Sequence, residues 1–188
     1  MNPTLDAALL ERLPSGDANA FAAFYDAYAR PIFKFVYYRT HHRETAEDLT
    51  SQAFLKALQH IRTFDPKRGS VGAWIYRIAR NTVTDHYRTR RATVDIADAW
   101  DLADAQDVAR DAHVTLQLER VREQVAALTP EQRDLVLLRL WDQLSYREIA
   151  EITGKSEAAC KMGFSRAIAS LRGRLGPAAL ISLLVPFI

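Results

Sequence analysis

The sequence predicts an all-α protein: two small helical domains joined by an acidic linker, with a helix-turn-helix in the second domain. Three observations support this prediction. Apolar residues recur at helical spacing nearly throughout, and the alternation typical of strands is almost absent. Helix-capping signals recur along the chain. The charges are also segregated, because a basic segment, an acidic segment and a second basic segment follow one another.

The first domain is predicted to contain four helices. Asp17 is placed to cap a helix that buries Phe21, Phe24, Tyr25 and Tyr28. Pro31 suits the first turn of a second helix, which carries Phe33, Phe35 and Val36. A third helix is expected from about Thr45 to Ile61, followed by the loop TFDPKRGS. Ser70 then caps a fourth helix that reaches about Arg90.

An acidic linker separates the domains, since residues 95–111 contain six acidic residues against one arginine. Aspartate is a poor residue for a helix interior, so this stretch suits a solvated linker, with a short helix starting near Asp111. Three caps mark the second domain: Thr129 with Gln132, Ser145 with Glu148, and Ser156 before the last helix. The predicted boundaries are 1–92, 93–112, 113–174 and an apolar tail at 175–188.

Composition and termini exclude several classes of protein. A chain of 188 residues that is 48% hydrophobic and 26% charged is expected to fold and to be water-soluble. Its single cysteine, Cys160, excludes an intrachain disulfide and a thiolate zinc site, and favours a cytoplasmic setting. The N-terminus has no signal-peptide pattern. The uncharged tail is shorter than the roughly 17–25 residues of a membrane span and contains Pro177 and Pro186.

The third helix has one unusual face. A helical wheel places Thr50, Phe54, Ala57 and Ile61 on the buried side and Asp48, Gln52, Leu55 and Gln59 on the other. An aliphatic side chain among short hydrogen-bonding groups is the mixture expected where another protein docks. The alternative is a single exposed leucine, which is common on any surface.

The fourth helix separates an apolar side from a basic side. Its apolar side comprises Val71, Trp74, Ile75, Ile78, Ala79 and Val83, which makes Trp74 a core residue. The other side carries Arg77, Arg80, Asn81, Thr84, Arg88 and Arg91, with Asp85 at its margin. Such a basic stripe is favoured when nucleic acid supplies the anions. Asn81 is its best candidate for a base edge, and the loop residues Phe64, Asp65, Lys67, Arg68 and Ser70 could hold a displaced base.

The segment YREIAEITGKSEAACKMGFSRA has helix-turn-helix spacing. Ala150 is expected to allow a close helix crossing, Gly154 to take the positive φ of the turn, and Cys160 to be a buried small residue. On the last helix, Cys160, Phe164, Ala167 and Leu171 are predicted to face inward. The outward residues are Ala158, Met162, Ser165 and Ala169, beside Lys161, Arg166 and Arg172. With few side chains suited to bidentate base contacts, this helix should hold phosphates firmly and read bases modestly.

Three segments in this order resemble bacterial sigma factors of the extracytoplasmic-function (ECF) group: DLTSQAFLKALQ, RGSVGAWIYRIARNTVTDHYRTRR and LSYREIAEITGKSEAACKMGFSRAIASLR. The resemblance covers roughly residues 17–174. It implies a non-enzymatic transcription initiation factor, without cofactor or metal, that joins core RNA polymerase and directs it to promoter DNA. It also implies regulation by an anti-sigma factor or another regulator.

The resemblance assigns roles to the surfaces described above. The third helix would dock on the clamp helices of the largest polymerase subunit through Asp48, Gln52, Leu55, Lys56 and Gln59. The −10 element would be melted and held by Phe64, Asp65, Lys67, Arg68, Ser70, Arg77, Arg80, Asn81, Asp85, Arg88 and Arg91. The −35 element would be bound as duplex by Lys155, Ser156, Ala158, Lys161, Met162, Ser165, Arg166 and Arg172.

The linker and two departures complete the comparison with the family. Family linkers enter the polymerase cleft, where Asp95, Asp98, Asp101, Asp104 and Asp107 would imitate a phosphate backbone; alternatively these residues only keep the linker soluble and away from DNA. Gly163 and Ile168 stand where the family commonly has basic residues. The tail after Arg174 lies beyond the family pattern and is expected to pack on the second domain; contact with polymerase, a regulator or a membrane surface are the other possibilities.

Two other classes of protein are open from the residues alone. A stand-alone helix-turn-helix regulator would bind duplex DNA tightly without polymerase, usually as a dimer. A small helical enzyme would have to use the available histidines, which show no metal-type spacing: His41, His42, His60, His86 and His113.

Overall fold

The computed structural model describes residues 5–67, 69–91 and 123–184, and all regular structure within these ranges is helical. The all-α prediction is therefore confirmed for this part of the chain. In order, the longer elements are α1 (Ala7–Arg12), α2 (Ala18–Thr40), α3 (Arg43–His60), α4 (Val71–Arg91), α5 (Pro130–Val136), α6 (Tyr146–Thr153) and α7 (Glu157–Leu184). Arg68, the five linker aspartates and the predicted short helix near Asp111 lie outside the described residues.

The chain divides into two compact units, and the first contains α1 to α4. Asp17 caps α2 as predicted, because its Oδ1 accepts a hydrogen bond from the Ala20 N–H at 2.8 Å. Arg12 donates to the other carboxylate oxygen at 2.6 Å. These two hydrogen bonds, the Ala20 bond foremost, lower the pKa of Asp17. Its contribution to stability is complete above the unfolded pKa of about 3.9 and is lost as the pH falls through the lower folded value.

The predicted helix break at Pro31 was wrong, because α2 runs through this residue without interruption. One buried stripe continues across it, from Phe24 and Tyr28 to Ile32 and Phe35. An interior proline costs roughly 3 kcal/mol, whereas each fully buried large apolar side chain contributes about 1.5–3 kcal/mol. The free energy gained by burying these side chains on both sides of Pro31 therefore exceeds the cost of the interior proline.

Helices α2, α3 and α4 pack around an aromatic core. The ring of Phe24 lies 5.6 Å from Phe54 of α3 and 6.2 Å from Trp74 of α4, measured between centroids. Tyr25 was predicted to be buried, but it is 46% exposed and rests edge-on against Phe54. Its phenol can stay hydrated while one ring edge packs, which suits an amphipathic side chain at the rim of a core.

The second unit starts its helices with the predicted caps. Thr129 and Gln132 form a reciprocal capping box at the start of α5, with Pro130 in the first turn. The chain then continues as a π-helical turn, Leu137–Trp141. A buried run at Leu135–Leu138 explains why this segment stays helical, since side chains all around the backbone pack inside the unit.

The last helix, α7, extends past residue 174, the predicted end of the second domain, and continues to Leu184. Pro177 lies inside it, and the carbonyl that loses its helical donor belongs to exposed Gly173, where water can replace the lost partner. The side chains of residues 175–184 lie outside the description, so their packing stays a prediction. Among the described residues, no helix is long and apolar enough to cross a membrane.

Candidate nucleic-acid and protein interfaces

The exposed face of α3 carries the predicted docking residues. Asp48, Gln52, Leu55 and Gln59 are all exposed, while Thr50, Phe54, Ala57 and Ile61 are buried, so the two predicted sides are confirmed. Leu55 stands out because 56% of its surface is exposed in the middle of this face. Sequence reasoning missed Leu58, which is 47% exposed beside it, although a wheel at 100° per residue places it only 60° away. We call Asp48, Gln52, Leu55, Leu58 and Gln59 the α3 face.

Lys56, which is also predicted to contact polymerase, is partly buried and makes a contact with the neighbouring helix α4. Its Nζ donates a hydrogen bond to Oγ1 of Thr82 in α4 at 3.2 Å, and the contact is partly buried. Thr82 in turn donates to the carbonyl of Ile78 at 2.9 Å. Lys56 therefore ties α3 to α4 rather than extending the α3 face, because its ammonium is directed toward the neighbouring helix.

The basic side of α4 is exposed as predicted. Arg77, Asn81, Thr84 and Arg88 are exposed, and Arg80 is partly exposed. Arg77 forms no ion pair with any residue that the structure describes, whereas Arg88 lies 3.3 Å from the carboxylate of Asp85. Asp85 thus offsets one of the charges, and the rest of the stripe keeps an excess of positive charge. The side chain of Arg91 lies outside the described part of α4.

The loop before α4 is held by local hydrogen bonds. Oδ1 of Asp65 accepts the Lys67 N–H at 2.9 Å, and Oγ of Ser70 accepts the Ala73 N–H at 3.0 Å, which caps α4 as predicted. Phe64 differs from the expectation of a base-contacting residue, because it is buried and packs against Trp74 with ring centroids 5.2 Å apart. The role of Phe64 was predicted from its place in the loop and from the family resemblance, and neither reveals this ring contact.

The helix-turn-helix has the predicted turn and caps. Gly154 adopts φ +73°, which glycine tolerates without steric cost, and its N–H donates to the carbonyl of Ala150. Ser145 and Glu148 hydrogen-bond reciprocally before α6, and Ser156 accepts the Ala159 N–H at the start of α7. Cys160 is fully buried, which fits a small core residue. Ala150 itself is partly buried.

The two sides of α7 also agree with the wheel. Cys160, Ala167 and Leu171 are buried and Phe164 is partly buried; the exposed residues are Ala158, Lys161, Met162, Ser165, Arg166, Ala169 and Arg172. Lys155, just before α7, pairs with the carboxylate of Glu131. The positive charge of Lys155 is therefore partly neutralised, while Lys161, Arg166 and Arg172 form no ion pair with the described residues.

The two departures from the family pattern face into the domain. A Cβ on Gly163 would lie 2.6 Å from Cδ1 of Leu135, so α7 passes α5 too closely there for any side chain without a shift. Ile168 packs against the cluster of Val125, Leu128, Val136, Ala167 and Leu171. Both positions are only partly buried, and their packing contacts lie on the inner side of α7, away from the exposed residues of its outer side.

Replacing Gly163 by alanine is expected to lower the free energy of unfolding by up to about 2 kcal/mol, because the cost of shifting the methyl group of buried Leu135 exceeds the gain of about 1 kcal/mol in helix propensity. Chemical denaturation measures the change. Gly173 is the matched control: it lies in the same helix with no neighbouring atom within 4 Å of the position that a Cβ would take, so alanine there should stabilise by up to about 1 kcal/mol. Equal effects at both glycines would contradict the proposed close contact.

Two of the described histidines, His41 and His42, have local structural roles. His41 ends α2 in the left-handed conformation with φ +54°, and Nδ1 of His42 accepts the Thr45 N–H at 3.2 Å as the cap of α3. Within the described ranges, no three His, Cys, Asp or Glu side chains are grouped so as to hold a metal ion. His113 lies outside these ranges.

Comparisons with known proteins agree with both halves of the chain. Residues 24–93 match the family model Sigma-70 region 2, and residues 118–171 match Sigma-70, region 4. The ECF RNA polymerase sigma factor BldN of Streptomyces coelicolor is 37% identical over 167 residues, which are 87% of this chain and 63% of BldN. The RNA polymerase sigma factor YlaC of Bacillus subtilis is 31% identical over 154 residues, which are 79% of this chain and 87% of YlaC.

The fold also matches a solved structure. The sigma factor RpoE of Bartonella quintana, in a complex with the anti-sigma factor NepR, superimposes with a TM-score of 0.71 at 22% identity, covering 84% of this chain and 98% of RpoE. The two family models match separate segments in the order that the sequence motifs predicted. From these matches, and from 30% identity over 159 residues to the ECF RNA polymerase sigma factor SigX of Bacillus subtilis, 81% of whose length is covered, the chain belongs to the ECF group of RNA polymerase sigma factors, which are transcription initiation factors.

Proposed function

We propose that this chain joins core RNA polymerase through the α3 face and directs it to promoters, where α4 holds the melted −10 element and α7 binds the −35 element as duplex. The main support for the proposal is that the first unit has two exposed surfaces of different chemistry. The α3 face exposes Leu55 among short polar groups, and α4 exposes a basic stripe. The first suits a protein partner and the second suits nucleic acid.

Docking on polymerase precedes productive promoter binding in this scheme. Unstacking and flipping a base costs a few kcal/mol, and the chain has no Walker glycine pattern for using ATP. Contacts with the separated strand and with polymerase must supply that energy. The surface of α4 is suited to the strand, because Arg77 is exposed without an ionic partner among the described residues and Asn81 can both donate and accept hydrogen bonds.

In this proposal, polar groups in the loop before α4 make most of the contacts to the flipped base. Phe64 is committed to its contact with Trp74, so stacking on its free face would require a local rearrangement. Asp65, Lys67 and Ser70 are exposed and offer hydrogen bonds and charge at the start of α4. Within the proposal, Phe64 supports the loop, and these three residues contact the DNA.

The acidic linker and the regulator remain parts of the proposal. The five linker aspartates would occupy the polymerase cleft in place of nucleic acid and yield as RNA grows. An anti-sigma factor, such as the NepR seen with RpoE of Bartonella quintana, would compete for the surface that polymerase needs. We place the protein in the cytoplasm, where core polymerase and promoter DNA are found.

Run-off transcription tests the proposal. Purified chain plus core polymerase should start transcripts from a cognate promoter, whereas core alone and chain alone should give none. Failure with every promoter of a genome-wide set would contradict it. A stand-alone helix-turn-helix regulator predicts the opposite pattern: tight duplex binding without core, and no transcript that depends on adding the chain to core.

A further inference from the structure

The outer side of α7 has an apolar centre. Ala158, Met162, Ser165 and Ala169 are all exposed, and on a helical wheel they fall within about 60° of one another. Met162 is the one long side chain of the four, and 56% of its surface is exposed. Met162 therefore places a large apolar group at the centre of this outward face, in the second turn of the helix.

Cations border this centre on both sides. At 100° per residue, Lys161 and Arg172 fall on one flank and Arg166 on the other. All three are exposed, and none is ion-paired with a described residue. A helix in the major groove meets a phosphate strand on each side and base edges along its middle. The charge pattern of α7 therefore aligns Met162 with the base edges rather than with the phosphates.

The chemistry of the centre limits which bases it can read. Arginine reads guanine, and asparagine or glutamine reads adenine, through paired hydrogen bonds, but the centre contains none of these side chains. Ser165 alone can hydrogen-bond there. The apolar group that the four standard bases present in the major groove is the methyl group of thymine. Met162 has the reach and the polarisable surface to cover such a methyl group.

We propose that Met162, with Ala158 one turn before it, reads thymine methyl groups in the −35 element. The proposal rests on the function proposed above, since it assumes that α7 lies in the major groove of promoter DNA. To that function it adds the chemical group that α7 recognises, the methyl group of thymine. Lys161, Arg166 and Arg172 set affinity through phosphates, while the apolar centre sets the sequence preference through methyl contacts.

Replacing thymine by deoxyuridine tests this directly, because it removes only the methyl group. The promoter comes from the run-off screen, and binding is measured with the full chain and core polymerase. At one or more −35 thymines the substitution should weaken binding about fourfold, the effect of one buried methyl group. The same substitution in the spacer should have no effect. Met162→Ala should remove the difference between thymine and uracil, and Met162→Leu should keep it. Because Met162 is exposed, neither variant should alter folding.

A second variant separates methyl reading from general affinity. Lys161→Ala should weaken binding to both DNAs equally and lower the salt dependence, while the difference between thymine and uracil persists. Equal binding to thymine and uracil DNA at every −35 position would overturn the proposal, and so would an undiminished difference in Met162→Ala. Either result would leave the sigma-factor function standing. If wild-type chain and core bound no promoter at all, the proposed function itself would fail.

Discussion

Replacing Leu55 by aspartate is expected to weaken association with core polymerase by about 100-fold or more. The leucine is 56% exposed at the centre of the α3 face and is not part of the buried core, so the isolated chain loses little packing. In the complex, the loss of a central apolar contact and the burial of an unpaired carboxylate both oppose binding, and central residues of this kind cost about 2–4 kcal/mol. Affinity measured by titrating labelled chain with core polymerase gives the effect.

A matched control keeps this result specific. Ala22→Asp makes the same change in net charge at an exposed position of another helix, α2, and should leave the affinity for core within about twofold. Thermal unfolding should be similar for both variants and the wild type, because both positions are exposed. Undiminished binding by Leu55→Asp, and also by the combined replacement of Asp48, Gln52 and Leu55, would show that polymerase docks on another surface.

Reversing the charge of Arg77 and Arg88 together is expected to abolish promoter opening while core binding stays intact. Both side chains are exposed on the basic side of α4, and glutamates there would repel the phosphates that arginines attract. We expect at least about a 100-fold loss of open complex, measured by permanganate reactivity of the −10 thymines. Alanines at the same positions should reduce the slope of log affinity against log salt by about 0.7–0.9 for each phosphate contact removed.

The control for this pair lies on α2, where Arg30 and Lys34 are also exposed. Their double replacement by glutamate makes the same change in net charge, so an effect of total charge alone would appear in both variants. Promoter opening that survives the α4 reversals, or is lost equally in the α2 control, would contradict a direct role for the basic side of α4.

Local patterns allowed much of this fold to be predicted. Capping by Asp17, Ser70 and Thr129 depends on residues at most three positions away, and the turn at Gly154 depends on glycine itself. The buried and exposed sides of α3 and α4 follow from helical periodicity. Features set within a few residues, or by one helix against its surroundings, are therefore visible in the sequence.

Features that depend on residues distant in the chain could not be predicted from the sequence. Pro31 continues a helix because a buried stripe packs on both sides of it, and Lys56 turns toward a threonine 26 positions later. Phe64 is buried because its ring packs against Trp74. Gly163 has no side chain at a point where α7 passes close to Leu135. A helical wheel shows which side of its own helix a residue occupies. It does not show what the neighbouring helix brings to that side.

The most direct test compares promoter binding by the isolated chain, by core polymerase and by the two together. Fluorescence anisotropy of a labelled cognate promoter should show weak, salt-sensitive and unselective binding by the chain alone. Adding core should give tight binding that is lost when the −10 or −35 element is changed. Tight and selective binding of intact duplex by the chain alone, unaltered by core, would contradict a function that depends on polymerase.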